Sequence, residues 1–136
     1  MTKKILIPGA IAGVVLLVLS FAMLYGAVYL VPNVAEQYYS PVFRESGDYN
    51  WLFYIHPFVL SFALAWFWER FKGSFTGSLI MRDLELGLVY TLIATLPAML
   101  ITFSALDITL TMVLTWLAYG FVQAIVAGLI FARMNP

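Results

Sequence analysis

The sequence predicts an all-α, polytopic membrane protein: a single domain over residues 1–136, folded as a bundle of four transmembrane helices with both termini cytoplasmic. Three observations predict it. The chain is 63% hydrophobic and 10% charged, whereas soluble domains carry roughly a quarter charged residues, so there are too few polar groups to cover a globule in water. Four apolar runs each reach the ~18 residues that cross a hydrocarbon core as a helix. Six of the seven basic residues fall on one side of the threading those runs impose.

The first run, Ile5 to Val31, follows the charged start Met-Thr-Lys-Lys. Its 27 apolar residues exceed the ~7–15 of a signal-peptide core, and no clear small-x-small cleavage site follows, so an uncleaved first helix is expected. Residues 32–50 form the one long connection. Asn33 followed by Glu36 has capping-box spacing, and a short interfacial helix is expected from there to Tyr39, stopped by Ser40-Pro41. Tyr38, Tyr39, Tyr49 and Trp51 suit the headgroup zone on that side, and Trp66 and Trp68 the opposite one. The second helix is expected over 51–71. "GSFTGS", 73–78, is a short turn ending in Ser78, a candidate N-cap for a third helix over 79–106. Arg82, Asp83 and Glu85 then occupy its wet first turns, and Pro97 kinks it. The fourth helix is expected over 108–132, capped by Asp107. None of these runs shows the alternation of a barrel strand.

Four crossings place Lys3, Lys4, Arg70, Lys72, Arg82 and Arg133 together, with Arg44 alone opposite. Basic residues are retained in the cytoplasm, which puts both termini there and residues 32–50 outside, with Glu36, Glu45, Asp48 and Asp107. The cell inner membrane of a prokaryote is the expected setting.

Candidate packing residues are small. Gly120, Ala124 and Gly128 recur every four residues on the fourth helix, and Gly9 and Gly13 do so on the first. Small residues let backbones approach, which is how membrane helices gain contacts. The simplest reading pairs the two stripes in the cytoplasmic half; the other turns one stripe toward a second subunit. Val113 is expected to face lipid.

Candidate polar residues fall into two groups. Gln123 sits near mid-membrane, where an unpaired amide costs several kcal/mol; Ser61, Thr91 and Thr95 lie at similar depth, and Tyr119 shares its face. An interhelical hydrogen bond is expected, with the wall of a substrate path as the functional rival. Tyr25, Tyr29 and His56, with Thr102, Ser104, Thr109, Thr111 and Thr115, could line an outward pocket, unless the threonines bond their own helix carbonyls. His56 is the only histidine and precedes Pro57. Proline disfavours helix in the residue before it, so His56 is expected at a helix entrance, neutral and with one bonding partner. A proton switch or a ligand role are its rivals.

Several functions are excluded or unsupported. The net charge is zero, which leaves no basic footprint for nucleic acid. There is no cysteine, so thiolate metal sites and dithiol chemistry are out. No carboxylate lies deep in a run. No His–carboxylate cluster suggests a metal, and Ser20, Ser61 and Ser104 have no histidine at helical spacing to activate them. No catalytic residue, metal ligand or cofactor is therefore expected, and no enzyme.

The stretches "LSFAMLYGAVYLVPNVAEQYY" and "LTWLAYGFVQAIVAGLI" resemble, in general pattern, small four-helix membrane proteins of bacteria and archaea grouped as domains of unknown function. The resemblance implies a four-helix fold and carries no activity with it. Small multidrug exporters, which use a buried glutamate in the first helix, are not matched, because the first run has no acidic residue. The glycine-rich arginine motif of fluoride channels is not found either.

The functional expectation is a non-catalytic accessory, assembly or interaction subunit embedded in the lipid bilayer, as a homo-oligomer or beside another membrane subunit. A small oligomeric channel or transporter is the alternative, and a membrane enzyme a distant third. Cysteines introduced at Thr2, Ser46 and Ser74 should report the threading: an impermeant thiol reagent added to intact cells should modify Ser46→Cys and spare the other two. Modification of Ser74→Cys from outside would sink this topology.

Overall fold

The computed structural model describes residues 2–44 and 47–136. Glu45, counted above on the outer face, and the Ser46 labelling position lie outside the described residues. Four helices are long and apolar enough to cross a membrane, and no strand occurs among the described residues.

The first span, α1, is Thr2–Leu30 and takes Lys3 and Lys4 into its first turn. The short helix α2, Pro32–Gln37, starts without a capping box. Pro32 opens it, because a fixed φ and a missing N–H suit the first helical position. The Asn33 side chain caps nothing; its carbonyl oxygen instead accepts a bond from Gln37 Nε2 at 2.9 Å. The second span, α3, is Trp51–Phe71 and runs straight through Pro57. His56 therefore stands inside a helix rather than at its entrance.

Gly77 has φ +93°, which glycine adopts without steric cost. It turns the chain into Ser78, whose Oγ accepts from Met81 N at 3.4 Å and caps α4, Leu79–Tyr90. A π-helical turn follows at Thr91–Thr95, then α5, Leu96–Ala105; the three together make one span of 27 residues, Leu79–Ala105. Pro97 explains the wide turn. It has no N–H, and its ring would collide with the Ile93 carbonyl in a regular helix; widening the preceding turn removes the collision. The fourth span, α6, is Leu110–Met134. Thr109, with ψ 152°, caps it by accepting from Met112 N at 3.3 Å. Asp107 does not cap it: after an extended Leu106 it stands in a tight turn closed by Ile108 N on Leu106 O, and Thr109 places its side-chain oxygen over the first turn.

α1 packs along α3, and α6 packs on both, so three spans enclose a core of Ala12, Leu16, Leu64, Ala65, Ala124, Ala127 and Phe131. The third span makes its substantial contacts with α6 alone.

The glycines explain this arrangement, though not by the pairing the stripes suggest. A Cβ on Gly9 would come within 2.5 Å of the Phe62 ring, and one on Gly13 within 2.5 Å of the Phe58 ring. The α1 glycines thus admit α3, and not α6. Gly120 meets Thr95, and Gly128 meets Leu86 and Asp83, so the α6 stripe admits the third span. Gly87 completes that contact from the other side, under Phe121 and Ile125. α1 and α6 meet through Ala12, Leu16, Ala124 and Ala127 instead. Val113, expected to face lipid, is only 7% exposed.

At one end the chain is tied by side chains. Trp68, expected as an interfacial anchor, is fully buried; its Nε1 donates to Asn135 O at 2.9 Å. Lys72 Nζ donates to Asn135 Oδ1 at 2.6 Å, and Asn135 Nδ2 to Glu69 Oε2 at 2.6 Å. Trp68 also stacks on Phe75 and carries the Arg82 guanidinium 4.9 Å from its ring centre. The start of α1, the α3–α4 turn and the end of α6 share this end, so the six basic residues grouped by the sequence gather here.

Gly128→Leu should lower thermal stability in detergent by about 1–3 kcal/mol, the usual cost of overpacking. Val18→Leu, at a position 64% exposed, should be nearly silent. Equal stability of the two variants would show that α6 does not meet α4 at Gly128.

Candidate functional site

The polar residues of the spans divide into two systems. The first is a chain of donors between α1 and α6. Gln123 Nε2 donates to Tyr119 Oη at 2.9 Å. Tyr119 and Ser20 share a bond of 2.5 Å, and Ser20 Oγ donates to Leu16 O at 2.8 Å. The Ser20 proton is committed to Leu16, so Tyr119 donates to Ser20 and the bonds run in one direction, each polarising the next. Gln123 and Tyr119 thus find their partner in Ser20, which sequence spacing did not connect to them. Ser61, fully buried beside Gly13, bonds Phe58 O at 3.0 Å within its own helix. It does not join Gln123.

The second system lies on the third span. Asp83, Gly87, Thr91 and Thr95 stand four residues apart, with Gly128 over Asp83 and Gly120 over Thr95. Both Asp83 oxygens and the Thr91 and Thr95 hydroxyl oxygens are buried with no hydrogen-bond partner among the described residues. Asp83 is 1% exposed. Asp83 keeps the place near the helix end that the sequence gives it, but the wet first turn expected there is replaced by contact with α6. The cause is Gly128, which lets α6 close over the carboxylate. The nearest basic neighbours are Arg82, held on Trp68 and bonded to Lys72 O at 3.3 Å, and Arg133. Neither forms an ion pair with Asp83. A buried ionisable group without a partner is a functional candidate in its own right.

The outer residues do not assemble as a pocket. Tyr25, Tyr29 and His56 are exposed, and His56 bonds no described residue. Thr102, Ser104 and Thr115 donate to carbonyls of their own helices, Ala98, Ile101 and Thr111. The end opposite the basic cluster is organised instead by α2 and the loop after it. Tyr38, Phe43 and Trp116 pack with centroids 5.3–6.2 Å apart. Trp116 Nε1 donates to Tyr38 Oη at 2.5 Å, and Thr109 Oγ1 to Gln37 Oε1 at 2.5 Å. The aromatic residues of the loop were visible in the sequence; their docking on α6 was not.

No group of three His, Asp or Glu side chains gathers as a metal site among the described residues.

Tyr119→Phe removes the middle of the donor chain and leaves the Gln123 amide buried without its acceptor. It should cost about 1–3 kcal/mol, read as a lower melting temperature in detergent. A melt identical to that of the unchanged protein would show that water or lipid replaces the bond.

Comparison with known proteins leaves the reading to this geometry: no family model, no curated protein and no solved structure matches the chain.

Proposed function

We infer that the chain is a non-catalytic multi-pass membrane protein acting as an accessory, assembly or interaction subunit, with both termini on the cytoplasmic side of a prokaryotic inner membrane. One observation carries this reading. The third span is pendant: 17% of its most apolar window is buried, against 33% in each of the other three. In lipid, apolar side chains gain little from leaving the hydrocarbon for one another, so a helix held by one neighbour keeps most of its surface free for a second chain. Leu92, Leu100 and Ile101 lie on that free surface.

Two further features support it. The core among the first, second and fourth spans is filled by buried apolar side chains such as Leu16, Leu64, Trp68 and Phe131. The hydroxyls of Ser20, Ser61 and Ser104 are each committed to a backbone carbonyl and have no base beside them. The orientation rests on the gathering of Lys3, Lys4, Arg70, Lys72, Arg82 and Arg133 at one end.

The rival reading, a channel or transporter built from several copies, draws on Asp83, Thr91 and Thr95, whose oxygens lack partners. Purification from its own membranes in mild detergent separates the two. A different membrane polypeptide at fixed stoichiometry supports the subunit reading. A closed ring of identical chains overturns it, the more so when ion flux in reconstituted vesicles is lost in Asp83→Asn. A monomer without a partner also overturns it.

A further inference from the structure

α3 and the third span both lean on α6 and meet each other mainly where Arg82 lies on Trp68, which leaves a cleft between them that opens sideways. Its volume is about 320 Å³, and its ten lining residues are all aliphatic or aromatic. Leu60, Ala63 and Phe67 form one wall; Leu86, Val89 and Ile93 form the other. From Phe67 to Leu60 it descends seven residues, roughly 10 Å at the helical rise. It starts at the basic end and stops near mid-membrane.

The chemistry of the walls and of the mouth selects the occupant. An acyl chain suits walls that are aliphatic and aromatic throughout, because it needs no polar contact from them, and basic side chains at one end suit an anionic headgroup. The mouth of the cleft is cationic. Arg70 lies one turn beyond Trp66, a lining residue, with its guanidinium 5.6 Å from that ring. Arg82 lies one turn before Leu86 on the opposite wall and spends one hydrogen bond on Lys72 O. The end as a whole carries six basic side chains against three acidic ones, Glu69, Asp83 and Glu85. Basic pockets between spans at this level bind anionic headgroups.

We propose that the α3–α4 cleft is a binding site for one anionic phospholipid, its acyl chain between Ala63 and Ala94 and its phosphate held at the mouth by Arg70 and Arg82. Arg70 is the recognition residue, because it is exposed and its guanidinium already lies over the Trp66 ring at the cleft. Arg82 contributes charge from a position fixed by Trp68. The site is independent of the subunit reading: the lipid needs no second protein, and a second protein needs no lipid.

The test uses the whole chain, stripped of lipid in detergent, with dioleoyl phosphatidylglycerol as probe and dioleoyl phosphatidylcholine as its neutral counterpart. Native mass spectrometry should show one phosphatidylglycerol retained per chain, in preference to phosphatidylcholine. Arg70→Gln should weaken that retention at least tenfold, down to the phosphatidylcholine level. Ala63→Phe and Ala94→Phe, which fill the cleft from opposite walls, should each abolish it while helical content stays unchanged; Val18→Phe should not affect it. Equal retention of the two lipids, or retention surviving both cleft-filling variants, would overturn the proposal. So would a cleft-filling variant that releases a second polypeptide and leaves lipid retention intact. Should both fillings prevent folding, the Arg70→Gln comparison still decides, since that exposed side chain makes no hydrogen bond or ion pair among the described residues.

Discussion

Everything in this fold depends on how closely its helix backbones can approach one another. In water the burial of apolar surface would hold the helices; in hydrocarbon that force is nearly absent, and contact must come from packing and hydrogen bonds. Gly9 and Gly13 let α1 lie against the rings of Phe62 and Phe58, and Gly128, Gly120 and Gly87 let α6 and the third span interlock. α6 is consequently the element on which the others are assembled, because it alone meets α1, α3 and α4. The third span has no other substantial support, so what happens at Gly128 is felt directly at Asp83.

The two polar systems show the same constraint from opposite sides. Between α1 and α6 the donor chain from Gln123 to Leu16 O satisfies each group it passes through and can lock the two helices in one register. Between α4 and α6 the close approach allowed by Gly128 shuts Asp83 away from water before any donor reaches it. A buried carboxylate with no partner is costly, and the packing of α4 on α6 at Gly128 and Gly87 is what stands against that cost.

Much of the architecture was legible in the sequence because it depends on local chemistry. The four apolar runs, the cap at Ser78 and the grouping of basic residues need only a window of residues and the thickness of a membrane. The misreadings concern relations between helices. Periodicity shows that Gly9 and Gly13 share a face but not which helix that face meets. Trp68 looks like an interfacial aromatic until Asn135, sixty-seven residues on, is known to accept its proton. Asp83 sits where a first turn should be wet, and only the position of α6 dries it. Asp107 and Thr109 are both competent caps; the tight turn closed by Ile108 N on Leu106 O chose between them. Of the candidate polar residues, Tyr119 and Gln123 do bond one another, but their link to Ser20 spans 99 residues and left no local signal.

The π turn at Thr91–Thr95 has a mechanical consequence. Accommodating one extra residue in a turn shifts the phase of everything beyond it by roughly 100° relative to a uniform helix. The third span is thus two half-helices with separately set azimuths, joined by a coupling that also absorbs Pro97. The inner half is keyed to α6 through Asp83 and Gly87. The outer half has no buried residue of its own and rests on α6 across the π turn, where Thr95 meets Gly120, so the phase of its faces is set there and not by the carboxylate below.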